Sequence, residues 1–228
     1  MVVKKIVVGN LEENCYLIIK DKSCIIVDPG DEFHKIDETI KKLSLNVVAV
    51  LVTHAHFDHI GALEEVLNKY NVPLFYNNIN NEISYENLIN VSESKYELDK
   101  FKFEVIYTPG HRNDLVTYYF YEDNIMFTGD FLFRNFIGRT DLEYSNFNDM
   151  IFSLNKPARI PCTDPGYAHP FPVCLMFTPF LDIPFSPKLQ FLPLTSRYLS
   201  VHFQILKYDH ICMILPCIFC NCPCDLSA

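Results

Sequence analysis

The stretch "NVVAVLVT", residues 46–53, runs without a break into His54-Ala55-His56-Phe57-Asp58-His59. A continuous, valine-rich apolar run is the mark of a strand buried on both faces, so its sheet needs covering layers above and below. The end of that strand delivers four potential metal ligands within six residues. His54 and His56, two apart, can converge on one ion from an irregular turn, and imidazole is a ligand suited to zinc. Asp58 and His59, at the start of the next helix, can face a neighbouring ion.

The surrounding 156 residues obey one grammar. "KKIVVG", "NCYLIIK" and "SCIIVD" read as short strands separated by Gly9-Asn10 and Asp21-Lys22 turns. Asp28-Pro29-Gly30-Asp31 is a turn, and Ile36, Ile40 and Leu43 then recur at helical spacing. A second helix is expected from about His59, with Ile60, Leu63, Val66 and Leu67 on one side. "VPLFY", "FKFEVIYTPGH" and "VTYYFYEDNIMFTGD" supply further strands. Strands with interleaved helices indicate a layered α/β domain. Cys15 and Cys24 lie inside apolar strands and read as inert core thiols.

Two more sites fall where strands end. Thr108-Pro109-Gly110-His111 presents one histidine after a tight turn, and Phe127-Thr128-Gly129-Asp130 presents one carboxylate after another. Either alone is bland. With the first cluster they offer His54, His56 and His111 for one ion, and Asp58, His59 and Asp130 for, or between, two. An aspartate can bridge two cations through its two oxygens.

"THAHFDHIGA", "TPGH" and "FTGD" together resemble the metallo-β-lactamase superfamily: H-x-H-x-D-H, a single His after a Pro-Gly turn, and a bridging Asp. "NCYLI", "VDPGD", Leu132-Phe133 and Ile137-Gly138-Arg139-Thr140-Asp141-Leu142 are similar to the glyoxalase II branch, the hydroxyacylglutathione hydrolase-like proteins. The likeness covers residues 1–155. It implies an αββα sandwich with a dinuclear centre at one edge and two Zn2+ as cofactors, Fe or Mn being alternatives. His54, His56 and His111 would hold the first metal, Asp58 and His59 the second, and Asp130 would bridge, with Asp58 also assigned to catalysis. Two cations ~3.5–4 Å apart make hydroxide available near neutral pH to attack a polarised carbonyl. The implied substrate is a small-molecule thioester of the S-acylglutathione type. Its thiolate leaves without acid assistance, because the conjugate thiol has a pKa of ~8.5. Two other readings stand beside this one. A persulfide dioxygenase would hold a single iron with His54, His111 and Asp130, and a non-catalytic relative would keep only the scaffold. The Arg139/Asp141 pair reads as scaffold pinning a turn rather than as site chemistry.

The net charge of −9 argues against a nucleic-acid footprint. No leader-like start and no unbroken apolar span is visible, so a cytoplasmic protein with no membrane partner is expected. The final 72 residues differ in kind. They hold seven of the nine cysteines and eleven of the fourteen prolines, no Glu, and no sustained period. The family's last ligand, a His in a Pro-Gly-His-Gly turn, is absent there. Asp164-Pro165-Gly166-Tyr167-Ala168-His169 is the nearest text, with His169 as a weak substitute ligand and His202 and His210 weaker still. The late cysteines, Cys212, Cys217, Cys220 and Cys224, are too loosely spaced for a closed zinc site. The chain therefore divides into a metallo-β-lactamase-like domain, 1–156, incomplete at its C-terminal end, and an atypical Pro/Cys-rich tail, 157–228. Two explanations compete for that tail: divergence to a mononuclear or asymmetric site with a new C-terminal module, or sequence outside the ancestral frame, which the loss of Glu, the rise in Pro and Cys and the end of periodicity favour. The gene, read in its other two frames beyond codon 156, is expected to encode a Pro-Gly-His-Gly segment. Its absence from both frames would refute the frame explanation.

Overall fold

The structure, a computed structural model, describes residues 1–133 and 136–156. The tail, with His169 and the late cysteines, lies outside the described residues. Six strands form the first sheet: β1 (Val2–Val8), β2 (Glu13–Lys20), β3 (Ser23–Val27), β4 (Asn46–Leu51), β5 (Leu74–Tyr76) and β6 (Leu88–Asn90), in that order. β1 to β3 pair antiparallel, while β3 to β6 run parallel. A second, antiparallel sheet is built from β7 (Ser94–Leu98), β8 (Phe101–Tyr107), β9 (Val116–Phe120) and β10 (Ile125–Phe127), and β11 (Leu132–Phe133) pairs with β12 (Phe136–Ile137).

Alternation along the strands sorts side chains between two cores. Cys24 and Ile26 of β3 face the helical layer, where Ile36 and Ile40 of α1 (Phe33–Leu43) meet Val66 and Leu67 of a later helix. Ile25 and Val27 face the second sheet, packing with Leu51 and Phe75 against Phe101, Phe103, Val105, Tyr118 and Phe120. Each such fully buried side chain contributes about 1.5–3 kcal/mol relative to exposure. β4, parallel to a neighbour on each side, is covered on both faces, as its valine run requires. Tyr118 crosses from the second sheet to the first, its hydroxyl facing the carbonyls of Val52 (3.0 Å) and Phe75 (2.9 Å) at the ends of β4 and β5. The expected α/β sandwich is the fold the chain adopts, and Cys15 and Cys24 are buried free thiols within it.

Three details depart from the sequence reading. The helix expected from His59 is two, α2 (Phe57–Ile60) and α3 (Leu63–Tyr70). The break arises because the Asp28–Gly30 loop packs into it: the Ala62 N–H goes to the Pro29 carbonyl at 3.0 Å, and a Cβ on Gly61 would meet the Gly30 carbonyl oxygen at 2.2 Å. Leu43 remains 39% exposed at the end of α1. β6 and β7 were not anticipated, since "LIN" and "SKYEL" are too polar to show a period. Among the described residues no helix is long and apolar enough to cross a membrane.

Asp37 fastens α1 to α3. It pairs with Lys41 and Lys69, both at 2.7 Å, and accepts the Tyr70 hydroxyl at 2.7 Å. Burial alone would raise its pKa, but those hydrogen bonds outweigh it and hold the carboxyl at about 2. A carboxylate whose folded pKa lies below its unfolded value stabilises above the unfolded pKa and loses that contribution as pH falls through the folded one. Asp37→Asn should therefore lower the urea midpoint at pH 6, with the gap from the parent closing between about pH 4 and pH 2. A gap independent of pH would show that the ion pairs are not responsible.

Candidate metal centre

His54, His56 and His111 enter the centre from a strand end or a tight turn and His59 from helix α2, and outward hydrogen bonds hold one ring nitrogen of His54, His111 and His59. The Thr53 hydroxyl donates to Asp28 Oδ2 at 2.7 Å and so accepts from His54 Nδ1 at 3.1 Å. His111 Nδ1 donates to the Arg139 carbonyl at 2.9 Å. Both rings therefore turn a lone pair, on Nε2, towards the same point. His56 Nδ1 lies there, 3.0 Å from His54 Nε2 and 2.8 Å from His111 Nε2. Three nitrogens with at most one proton among them converge, an arrangement that a cation satisfies and that protons alone do not. This donor set fits a divalent metal.

The protonation states agree. Burial, then the neighbouring imidazoles, pushes the His54 pKa well below the ordinary range. Burial, then the neighbouring His111 and Arg112, brings His56 down to about 4. Neutral imidazoles are what a metal needs.

His59 and Asp130 form the adjoining half. His59 Nδ1 donates to Asp28 Oδ2 at 3.0 Å, and its Nε2 lies 3.3 Å from Asp130 Oδ1 and 3.9 Å from Asp58 Oδ2. Asp130 Oδ2 is 3.3 Å from His111 Nε2, so one carboxylate reaches both halves. Burial opposes charge on both residues. Hydrogen bonding outweighs it: Asp130 and then Asp28 push the His59 pKa well above its ordinary range, and His59 holds Asp130 below its own.

Among the described residues three donor sets converge within 4.8 Å: His54–His56–His111, His54–His59–Asp130 and Glu13–Asp28–His59. Five of the six anticipated ligands fall within them. Asp58, the residue assigned to catalysis, sits in the first turn of α2 and joins none of the three sets.

Three supports escaped the sequence reading. Asp28 accepts the Thr53 N–H at 2.7 Å as well as its hydroxyl, tying the end of β3 to the end of β4. The buried Asp114 accepts from Ala55 N–H (3.0 Å), the Tyr76 hydroxyl (2.6 Å) and Arg112 Nε (2.8 Å), which pins the residue between His54 and His56 to the loop of His111. Glu13 has a side chain only 6% exposed, and its Oε2 has no hydrogen-bond partner. Burial, then the Asp28 charge, pushes its pKa up to about 9. A polar residue next to a turn is the only signal any of them leaves in the sequence.

The turns owe their shape to helix α4 (Phe147–Leu154) and to glycine. Asn146 caps α4, accepting from the Asn148 and Asp149 N–H groups, while its own N–H donates to the Gly110 carbonyl at 2.8 Å. The Ser153 hydroxyl donates to the Pro109 carbonyl at 2.6 Å. Gly110 has φ +146°, and a Cβ there would lie 2.5 Å from the Met150 Cα. Arg139 and Asp141 form an exposed two-pronged pair, at 2.7 and 2.8 Å, and the Arg139 contribution to His111 is its backbone carbonyl.

With this geometry the family assignment is decided by the sequence match that accompanies it. The family model described as the metallo-beta-lactamase superfamily matches residues 8–164. The chain belongs to that superfamily. It is 36% identical over 172 residues to "Probable metallo-hydrolase YqgX" of Bacillus subtilis (strain 168), covering 67% of this chain and 82% of that protein. To the hydroxyacylglutathione hydrolase GloC of Haemophilus influenzae it is 30% identical over 175 residues, covering 68% and 82%. Among solved structures, the B3 metallo-beta-lactamase BLEG-1 superposes with TM-score 0.64 at 29% identity over 70% of this chain and 87% of that one. TTHA1623, in a di-iron-bound form, superposes with TM-score 0.57 at 27% identity, over 66% and 83%.

Gly110→Ala should lower the melting temperature and weaken divalent-metal binding, because the strained φ and the Met150 backbone both act on the His111 turn. Arg139→Ala should leave melting temperature and metal content unchanged, since the carbonyl survives and exposed pairs contribute little. Loss of metal in Arg139→Ala with retention in Gly110→Ala would reverse this account.

Proposed function

We propose that this chain is a metal-dependent hydrolase of the glyoxalase II-like branch that cleaves small-molecule thioesters of the S-acylglutathione type. A metallo-hydrolase is the enzyme class that the superfamily and the donor set carry; the thioester specificity is our own reading. The observation that carries it is the convergence of three imidazole nitrogens at 2.8 and 3.0 Å, beside a carboxylate shared by two histidines. The likeness to a hydroxyacylglutathione hydrolase supports the choice of substrate class.

His54, His56 and His111 would hold the first cation, and His59 and Asp58 the second, with Asp130 between the halves. Bound there, divalent cations, two Zn2+ in our reading, supply a hydroxide near neutral pH and polarise a carbonyl. The residues do the rest. Thr53 and the Arg139 carbonyl fix the tautomers of His54 and His111, so that Nε2 faces inward in both. Asp114 holds the backbone of the H-x-H turn, and Asp28 holds His59. Asp130, kept ionised by His59, places negative charge between the halves. No residue need protonate the departing group, because a thiolate with a conjugate pKa of ~8.5 leaves unaided.

A single-iron dioxygenase would require His54, His111 and Asp130 to converge as a set of two His and one carboxylate. They are not one of the converging sets, and the third histidine, His56, stands at the centre of the first. The three-histidine set supports the hydrolase's first metal position, and a single-iron set does not stand out beside it.

The full chain, loaded with zinc, should release thiol from an S-acylglutathione. A chelator should abolish the rate, and His54→Ala should lower kcat/KM more than about 100-fold, beyond the usual effect of removing a supporting group. Equal turnover in His54→Ala would eliminate the metal-centred mechanism. Cleavage of a β-lactam in place of the thioester would keep the mechanism and replace the substrate.

A further inference from the structure

Two arginines neighbour the centre, and they are placed in opposite ways. Arg139 is exposed, and its two-pronged pair with Asp141 stays within one turn. Arg112, directly after His111, is 5% exposed. Its Nε donates to Asp114 Oδ1 at 2.8 Å, and its Nη2 pairs with Glu82 in the loop between β5 and β6. Its guanidinium also lies 5.1 Å from the centre of the Tyr144 ring, just ahead of α4. One buried side chain thus ties the His111 turn to two segments that carry none of the anticipated ligands.

The contact with Asp114 connects this clamp to the metal ligands. Asp114 is fully buried, and its other oxygen, Oδ2, accepts from the Ala55 N–H at 3.0 Å and from the Tyr76 hydroxyl at 2.6 Å. Ala55 lies between His54 and His56, and His56 Nδ1 stands 2.8 Å from Nε2 of His111. The carboxyl group that holds the H-x-H turn is therefore itself held from the His111 turn. Without Arg112 Nε, Asp114 Oδ1 would lose its donor in a buried place, and a buried polar atom without a partner is costly. Lysine cannot take over this task. A guanidinium presents Nε and Nη2 in a rigid plane and so serves Asp114 and Glu82 at once, whereas an ammonium is a single point of charge on a flexible stem. The β5–β6 loop is fastened to the same turn at two further places. Asn77 Nδ2 donates to the Asp114 carbonyl at 3.1 Å, and the side-chain amides of Asn80 and Asn113 pair at 2.9 Å.

We propose that Arg112 is a positioning residue for the three-histidine set. Through Asp114 and Ala55 it keeps the H-x-H turn in register with the His111 turn, and through Glu82 it anchors both turns to the β5–β6 loop. It acts on the ligands only through these neighbours, so its effect falls on the affinity and geometry of the metal position. This proposal rests on the metallo-hydrolase reading, because the set that Arg112 positions is the one that holds the first cation.

The full chain, stripped with a chelator and titrated with Co2+, provides the test, because the visible absorption of bound Co2+ reports the geometry of its ligands. Arg112→Lys keeps the charge but should bind Co2+ more than about 10-fold more weakly, with an altered absorption spectrum. Glu82→Gln should act in the same direction by about 3-fold, since it stands one contact further from the ligands. Arg139→Lys should match the parent in both readouts. Urea unfolding in chelator separates positioning from stability. A merely structural Arg112 would give Arg112→Lys a lower urea midpoint in chelator while the folded protein kept the parent's Co2+ affinity and spectrum, and that result overturns the proposal. If Arg112→Lys does not fold, Glu82→Gln decides by the same two readouts, and parent-like values there overturn it as well. A parent that binds no Co2+ overturns the metallo-hydrolase reading itself.

Discussion

Asp28 is the carboxylate around which the centre is assembled. It is 3% exposed and accepts three hydrogen bonds: the Thr53 amide, the Thr53 hydroxyl and His59 Nδ1. The first two join the ends of two parallel strands, β3 and β4, where their ladder stops. The third orients His59, the histidine of the second half. Through the Thr53 hydroxyl the same carboxylate also sets the tautomer of His54. Hydrogen bonds to a carboxylate are roughly twice as strong as those between neutral groups. Removing it would release strand ends, tautomer and ring orientation together.

Around that anchor, loops pack too closely for side chains. A Cβ on Gly30 would lie 1.8 Å from the Asp58 carbonyl oxygen, and one on Gly138 1.8 Å from that of Asp130. These contacts hold the backbone of each acidic residue against a neighbouring loop. Helix α4 performs the same service for His111 through Asn146, Met150 and Ser153. A metal centre gains from this, since ligand placement within a fraction of an ångström decides metal geometry.

Much of this was legible in the residues. The valine run of β4 identified the central strand, because burial on both faces leaves no polar alternation. His54, His56, Asp58 and His59 could be named as candidate ligands because they crowd the end of one apolar strand, whereas His111 and Asp130 were legible only as single residues after tight turns, read together with that cluster. The supporting groups were harder to see. Glu13 and Asp114 are single acidic residues in polar neighbourhoods that nothing in their spacing separates from surface charge, and Asp28, at the end of an apolar strand, reads only as the start of a Pro-Gly turn. β6 and β7 were missed for a related reason. Their residues are half-exposed, so they form through edge pairing rather than through apolar period.

The sequence by itself determined the layered α/β architecture and the identity of the histidine cluster, because both are written in local pattern: alternation, valine content and ligand spacing. Tertiary structure alone decided which nitrogens face each other, that Asp58 stands outside the three converging sets, and that Glu13 is buried beside His59. Those outcomes depend on contacts such as Glu13 to His59 and Ala55 to Asp114, which link residues dozens of positions apart. Their pairing is set by how the two sheets and the Asp28–Gly30 loop come together, and no local pattern encodes that.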